Sequence, residues 1–197
     1  MLRHGRVGTI THITVVDRRT NGGGRHESAP GEYAQLRTAA IHVFDSLRRV
    51  LGTNPLNIVA RCTTPPWHER PHGATTEALV EMDGNIHVQY YGSLVSSHDE
   101  YTLRVHGDRG VLRSSHWCIS WRRRGWPLFV PIWFTAGRER MLQHGRPPSG
   151  GEDALWSVAM IEAAIRSDRS GRVVPVADVL AEIGPMNSAP AAFGQRQ

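Results

Sequence analysis

The sequence predicts an α+β fold: a mainly antiparallel, open-faced β-sheet with helices packed on one face. Short runs of alternating apolar and polar residues fill the middle of the chain, a pattern typical of half-buried strands. Segments with the 3.6-residue period of an amphipathic helix stand before and after these runs. Because helices and strands are grouped instead of alternating, a parallel α/β sheet is not expected.

The composition is that of one folded domain. The chain has 197 residues, of which 40% are apolar, and a chain of this size buries about 70% of its unfolded surface. We expect one α+β domain over residues 1–184 and a disordered tail over 185–197. No run of about 18 apolar residues is present, so no membrane span is expected. Without a secretion signal, and with Cys62 and Cys118 as its only cysteines, the chain is expected in the cytoplasm.

The charge pattern excludes several chemistries. All 23 basic residues are arginine, so no Schiff-base lysine, lysine general acid or P-loop lysine is available. The net charge of +5 permits nucleic-acid binding without arguing for it.

The first strand and the first helix are well marked. TITHITVVD (9–17) is rich in β-branched residues and predicts a strand. A loop with glycine, asparagine and proline follows. Residues 34–51 then predict a helix whose apolar stripe comprises Leu36, Ala40, Val43, Leu47 and Val50. Gly52 stands where a C-terminal cap glycine belongs.

The middle of the chain predicts an antiparallel meander. LNIVARCT (56–63) is the first strand, and a proline-rich connection covers 63–73. Two alternating runs, 74–82 and 85–94, flank Asp83-Gly84, a hairpin signature. Further strands are expected at 101–106, 111–115, 116–122 and 127–134, the last at an edge because of Pro131.

The C-terminal part returns to helix. Residues 152–167 place Ala154, Val158, Ile161 and Ile165 on one side, which predicts a second amphipathic helix. Gly171 ends it, and a short VVPV strand and a helical turn, ADVLAEIG, follow.

Five segments in this order carry a family resemblance. HGRVGTITHI, AAIHVFDSLRRVLG, EALVEMDGNIHVQYYGSLVS, EYTLRVHGDRGVLR and DALWSVAMIEAAIRSDRSGRVVPV are each similar to a segment of the C-terminal domain of the Gfo/Idh/MocA oxidoreductases. The chain resembles that domain from about residue 3 to about residue 181. The resemblance implies an open-faced sheet that binds a sugar-like or polyol substrate and builds oligomer contacts.

The family's enzymes use NAD or NADP, held by a nucleotide-binding domain. That domain reads strand, G-x-G-x-x-G, helix, and nothing in these residues matches it; Gly22-Gly23-Gly24 gives only G-x-G-x-x-E. The family's Glu-Lys-Pro segment is missing too. We therefore expect no cofactor bound by this chain alone.

His42 is the candidate catalytic residue. In many family members a histidine on this helix acts as general acid/base at the reacting hydroxyl, with an aspartate four residues earlier. Here Thr38 takes the aspartate position and supplies no charge, while Asp45 follows His42 by three residues. The resemblance implies His42 as catalytic, and a purely structural histidine is the alternative. We expect Thr38 and Asp45, its neighbours on the helix, to be substrate-binding, while the family's aspartate at the position of Asp45 is usually structural.

Other candidates are weaker. Arg18 and Arg19 end the first strand, and Arg18 is expected to reach a polar or anionic substrate, with a solvated strand end as the alternative. His68 and His72 lack a third ligand and a helical frame, so no metal is expected. Trp117, Trp121 and Trp126 flank Arg122–Arg124, a pattern that single-stranded nucleic acid can use. Packed tryptophans beside a solvated hairpin tip are the stronger interpretation.

These observations leave three functions. The first is a substrate-binding and oligomerisation domain, inactive alone and dependent on a separate nucleotide-binding subunit. The second is a non-catalytic interaction protein, a homo-oligomer paired through its sheet face. The third is a basic nucleic-acid-binding module, which is disfavoured. A truncated gene or a start assigned inside a longer reading frame is a further alternative, because Met1 stands close to the family's domain junction.

Overall fold

The computed structural model describes residues 6–20, 31–115, 119–132 and 151–184, without the side chains of 131–132 and 151–153. It confirms the predicted fold class, an α+β domain with one mostly antiparallel open sheet and helices on one face. The glycine loop at 22–24, Trp117, Cys118 and the tail at 185–197 lie outside the described residues.

The elements follow the predicted order. The strands are β1 Ile10–Thr20, β2 Pro55–Thr63, β3 Thr75–Met82, β4 Ile86–Ser96, β5 Glu100–Gly107, β6 Gly110–Ser115, β7 Ile119–Arg123, β8 Val130–Ile132 and β9 Val174–Pro175. The helices are α1 Ile41–Leu51, which continues from a π-helical turn at Leu36–Ala40, α2 Gly151–Ser170 and α3 Val176–Ile183. The predicted edge strand at 127–134 is described as the short β8, which pairs with β7.

The described strands form one sheet in the order β8-β7-β6-β5-β1-β4-β3-β2-β9. β1 lies in the middle, antiparallel to β5 and parallel to β4. Its β-branched residues suit this place, because Ile13 and Val15 point into the core. The N-terminal strand β1 is therefore inserted between β4 and β5, two strands that follow each other in the predicted meander. Local alternation did not predict this insertion.

The predicted β3–β4 hairpin is confirmed, with one difference in its loop. Met82 pairs with Ile86, so three residues connect the strands instead of two. Gly84 and Asn85 both take positive φ, at 79° and 58°. Asparagine tolerates this left-handed conformation, so the loop extends by one residue beyond the glycine.

Two predicted helix stripes are shifted in the structure. Val50 and Val158 were expected on buried faces, yet each is 46% exposed. In α1 the core positions are Val43, Phe44 and Leu47, and Phe44 meets the Tyr90 ring edge-on at 5.2 Å. The predicted C-terminal cap is confirmed, because Gly52 has φ 68° and its N–H donates to the Arg48 carbonyl at 2.7 Å.

The helix layer is tied to the sheet by two side chains near the end of α2. Where β9 no longer pairs with β2, two β2 backbone N–H groups would lack partners. The Ala60 N–H donates to Ser167 Oγ at 2.9 Å, and the Cys62 N–H donates to Asp168 Oδ1 at 2.7 Å. The other Asp168 oxygen accepts hydrogen bonds from Tyr33 at 3.1 Å and His72 at 2.7 Å.

Within the part of the chain that is described, no helix is long and apolar enough to cross a membrane.

The Asp168 carboxylate is expected to stabilise the fold in a pH-dependent manner. Burial alone would raise its pKa, but hydrogen bonds from the Cys62 N–H, His72 and Tyr33 outweigh burial and lower it. A lowered carboxyl pKa gives stability that is present above the ordinary value near 4 and is lost as pH falls through the folded value.

We predict that Asp168→Asn lowers the free energy of unfolding by about 2 kcal/mol at neutral pH. The gap to wild type should narrow as pH falls below about 4. Urea unfolding at several pH values measures the difference in free energy of unfolding between wild type and variant. Glu77→Gln on the exposed sheet face is the matched control. A gap that stays constant or widens in acid would contradict this role.

Candidate functional site

The predicted catalytic residue lies on the outside of the helix layer. The His42 side chain is exposed, and its imidazole makes no hydrogen bond or ion pair with the described residues. Its backbone carbonyl accepts the Ser46 hydroxyl at 2.7 Å. The chain by itself therefore presents a lone imidazole with no carboxylate to fix its tautomer.

Thr38 and Asp45 lie on the same helical segment as His42, but both make other contacts. The Thr38 hydroxyl donates to the Ala34 carbonyl at 2.7 Å, one turn back. The Asp45 carboxylate pairs with Arg49 at 2.8 Å and accepts the Ser157 hydroxyl of α2 at 3.3 Å. Asp45 thus ties α1 to α2, and neither residue hydrogen-bonds to His42 among the contacts described.

Arg18 lies on the opposite side of the sheet from these three residues. Successive strand residues face opposite ways, so Asp17 points toward the helices and Arg18 toward the open face. Arg18 pairs with Glu100 at 2.8 Å and lies over the Tyr91 ring at 5.1 Å. The structure therefore brings Thr38, His42 and Asp45 onto one surface and leaves Arg18 on another.

A buried polar cluster beneath the start of the first helix was not found from the sequence. Asp17, only 3% exposed, accepts two parallel hydrogen bonds from Arg19, at 3.0 and 3.1 Å. The side-chain amide of Gln35 donates to the buried Tyr90 hydroxyl. The alternation in TITHITVVD could have predicted that Asp17 is buried, because it puts Asp17 on the same face of the strand as Ile13 and Val15.

The electrostatics of this cluster follow from its burial. Burial raises the pKa of Tyr90, and the Asp17 charge adds to the rise. Burial and then Asp17 raise the pKa of Tyr101 in the same way. The Asp17 hydrogen bond raises the pKa of Arg19 against the opposing effect of burial. At neutral pH the cluster therefore holds two neutral phenols beside an arginine–carboxylate pair.

The buried polar cluster is tightly packed, but one of its polar atoms has no hydrogen-bond partner among the described groups. Gly92 lies opposite Asp17 in the sheet, and a side chain there would collide with the Gln35 amide and the Tyr90 hydroxyl. Gln35 Oε1 is buried without a hydrogen-bond partner among the described groups. Thr20 ends β1 with its N–H donating to Asp99 at 2.6 Å, and residues 21–30 follow outside the described part.

The histidines of the proline-rich connection have structural contacts. His72 binds Asp168, and His68 Nδ1 accepts the Arg70 N–H at 3.1 Å. No three His, Cys, Asp or Glu residues in the described ranges are grouped to hold a metal ion.

The aromatic and arginine segment around 121–126 is partly packed. The Trp121 indole donates to the Arg6 carbonyl at 3.3 Å, and Arg122 lies over the Phe129 ring at 5.0 Å. Trp126 remains 54% exposed. Two of these side chains are thus engaged within the protein instead of forming a free stacking surface.

A family comparison matches more than half of the chain. The sequence model of the GFO/IDH/MocA C-terminal domain matches residues 1–113. A comparison with curated proteins found no match.

Solved structures share the fold at low identity. An Agrobacterium radiobacter oxidoreductase in complex with NAD+, L-tartaric acid and magnesium has a TM-score of 0.72 at 18% identity, covering 90% of this chain and 60% of its own. The aldose-aldose oxidoreductase of Caulobacter crescentus, complexed with glycerol, has a TM-score of 0.67 at 19% identity, and the match covers 88% of this chain and 58% of that protein. The WlbA dehydrogenase of Bordetella pertussis, in complex with NADH and UDP-GlcNAcA, has a TM-score of 0.64 at 17% identity, and the match covers 88% of this chain and 57% of that protein. The chain therefore spans less than two thirds of each of these proteins.

We predict that Gly92→Ala destabilises the protein by about 1–3 kcal/mol, because the added methyl overpacks the buried cluster. Adding Gln35→Ala to Gly92→Ala should recover part of the loss, since it removes the amide that collides with the methyl group. Thermal unfolding of the two single variants and the double variant measures the coupling. Strictly additive losses would mean that the two residues do not share the packing described.

Proposed function

The chain belongs to the Gfo/Idh/MocA family, as a match to the family's C-terminal domain, and on that premise we propose that it is a substrate-binding and oligomerisation domain. We propose that it is inactive alone. Its substrate would be a sugar-like or polyol molecule. A separate nucleotide-binding subunit would hold NAD or NADP, because the sequence offers no dinucleotide fingerprint.

The exposed imidazole of His42 carries this proposal. A general base must lie within hydrogen-bond reach of the proton it takes, in a site closed to water. His42 stands on the outer helix surface without a partner among the described groups. It can act on a substrate only if another surface covers α1, and a nucleotide-binding subunit would provide that surface.

The local chemistry assigns roles to the neighbours of His42. His42 would accept the proton of the reacting hydroxyl, and the cofactor of the partner subunit would accept the hydride. Thr38 and Asp45 would border the substrate beside it, with Asp45 also keeping α1 in place through Ser157. Arg18 would meet a ligand or a partner only on the open face. No described carboxylate holds the imidazole of His42, so its tautomer and orientation would be set by the substrate and the partner surface.

The second candidate is a non-catalytic protein that pairs through the open sheet face. That face exposes Leu79 (57%) on β3, and Val59 in the neighbouring strand β2 is half-buried. Thr38 in place of an aspartate favours this function, because it removes the charge that supports catalysis. Both candidates share the pairing and differ in whether His42 is used.

A cytoplasmic location suits either candidate. Cys62 is a buried free thiol, and burial raises its pKa to about 11. Such a thiol is unreactive and stays reduced in the cytoplasm.

We predict that His42→Ala changes the free energy of unfolding by less than about 0.5 kcal/mol, because the side chain is exposed and unpaired. The purified chain alone should not reduce NAD or NADP with any polyol. Addition of the NAD-binding fraction of the source cell's extract should start the reaction with wild type, and His42→Ala should lower its rate by about 100-fold or more.

His98→Ala, an exposed histidine on another part of the surface, is the matched control. Cofactor reduction followed by absorbance is the readout. Turnover by the chain alone would overturn the proposed dependence on a nucleotide-binding subunit. Equal rates for wild type and His42→Ala would support the non-catalytic candidate.

A further inference from the structure

Three histidines lie side by side near the centre of the open sheet face. His87 on β4 pairs with His12 on β1, and His12 pairs with His106 on β5. The rings of His12 and His106 are 5.8 Å apart between centroids. All three side chains point to the open face, because a neighbour of each on its strand is buried in the core: Val88, Ile13 and Val105. We call His12, His87 and His106 the histidine row.

No carboxylate in the described part of the chain forms an ion pair with the histidine row. His12 Nε2 hydrogen-bonds with the Thr14 hydroxyl at 3.1 Å. Glu81 lies beside His87 in the neighbouring strand, but its carboxylate accepts the Asn57 amide at 2.8 Å. The row is not grouped with other described side chains to hold a metal ion either. A proton added to one of these imidazoles therefore brings a positive charge with no counterion in contact.

The other described charges on the open face are more positive than negative. Two arginines have a glutamate beside them, since Arg18 pairs with Glu100 at 2.8 Å and Arg61 lies opposite Glu77 in the β2–β3 ladder. Glu81 is the remaining described carboxylate on the strands of this face. The remaining arginines there are three, on β5, β6 and β7: Arg104, Arg113 and Arg122.

His106 already shows the effect of this environment. Burial lowers its pKa first, and the nearby charges of His12, Arg104 and Arg122 lower it further. Like charges directly opposite each other in a ladder are destabilising. Protonation of the whole row would place three such charges on adjacent strands, which lie about 4.8 Å apart.

Pairing of two copies would cover the histidine row. β1 is the fifth of the nine described strands, so the row lies at the middle of the face. A second copy seated face to face covers the middle strands whatever the direction of its twofold axis. Packed sheets are about 10 Å apart. Covered imidazoles lose water, which disfavours their charged form, and each copy adds three of them to the same interface.

We propose that the histidine row makes pairing through the open face dependent on pH, so that two copies pair at neutral and alkaline pH and separate in weak acid. This inference rests on the oligomerisation in the proposed function and adds its regulation.

The direction of the effect follows from where protons bind. Histidine changes its charge between pH 5 and 8. Separated copies take up protons on the row in water, whereas paired copies would have to bury the charges, so the separated state binds more protons. Pairing is therefore strongest above about pH 6.5, the ordinary histidine value, and is lost as pH falls below it. His106, whose pKa is already lowered in the single chain, contributes at the acid end of this range.

Sedimentation velocity of the whole chain at about pH 8 and about pH 5.5 brackets the titration of histidine. For wild type, the dissociation constant of the pair should rise at least about 100-fold between the two, since each excluded proton weakens pairing about tenfold per pH unit. The row variant carries His12→Gln, His87→Gln and His106→Gln. Its dissociation constant should be nearly equal at both pH values, because glutamine does not titrate.

A matched control removes three histidines away from the row. It carries His42→Gln, His68→Gln and His98→Gln, and it leaves His72 in place because His72 binds Asp168. This control should keep the pH response of wild type. Loss of the response in the control would assign the effect to other histidines and overturn the proposal.

The remaining outcomes separate the switch from the pairing. Circular dichroism at both pH values checks the fold of each variant. His12→Gln alone, at the centre of the row, should reduce the response by a smaller factor and provides the test if the row variant does not pair. A wild type that pairs equally at both pH values, or a row variant with the wild-type response, would overturn the switch while the pairing stands. A wild type that is monomeric at both pH values would overturn the pairing itself.

Discussion

The Asp168 carboxylate is the contact on which the rest of the structure depends. It accepts hydrogen bonds from the edge of β2, from the proline-rich connection and from Tyr33 at the start of the first helix. The connection reaches the helix closely enough that a side chain at Gly73 would lie 2.6 Å from the Tyr33 Cα. These contacts hold both long helices against one face of the sheet, and no described helix covers the other face.

This one-sided layering separates two tasks. In the proposed function, the outer surface of α1 would present His42 to a partner that brings the cofactor, and the open face would meet a second copy of the chain. Strand alternation makes the separation sharp, since Asp17 joins the buried cluster while its neighbour Arg18 joins the open face. The proposed catalytic and assembly surfaces therefore do not compete for the same residues.

The sequence predicts most of the local structure and little of the long-range pairing. Alternation and turn residues were sufficient for the β3–β4 hairpin, and Gly52 was sufficient for the end of α1. The insertion of β1 between β4 and β5 depends on contacts between distant segments, which no local pattern encodes.

The candidate site shows the same limit. His42 was identified through a family resemblance, and its exposure became clear only from the packing of α1. The Asp17–Arg19 pair and the Gln35–Tyr90 contact join residues up to 55 positions apart. The shifted stripes at Val50 and Val158 reflect the helix neighbours that each face meets, which periodicity alone does not specify.

Labelling of histidines by diethyl pyrocarbonate, read by mass spectrometry at nanomolar and micromolar chain concentrations, tests the two-surface account most directly. His12 and His87 lie side by side near the centre of the open face, and His42 lies on the outer surface of α1. The account predicts that His12 and His87 become protected as the chain is concentrated, while His42 labels equally at both concentrations. Protection of His42 with continued labelling of His12 and His87 would contradict it.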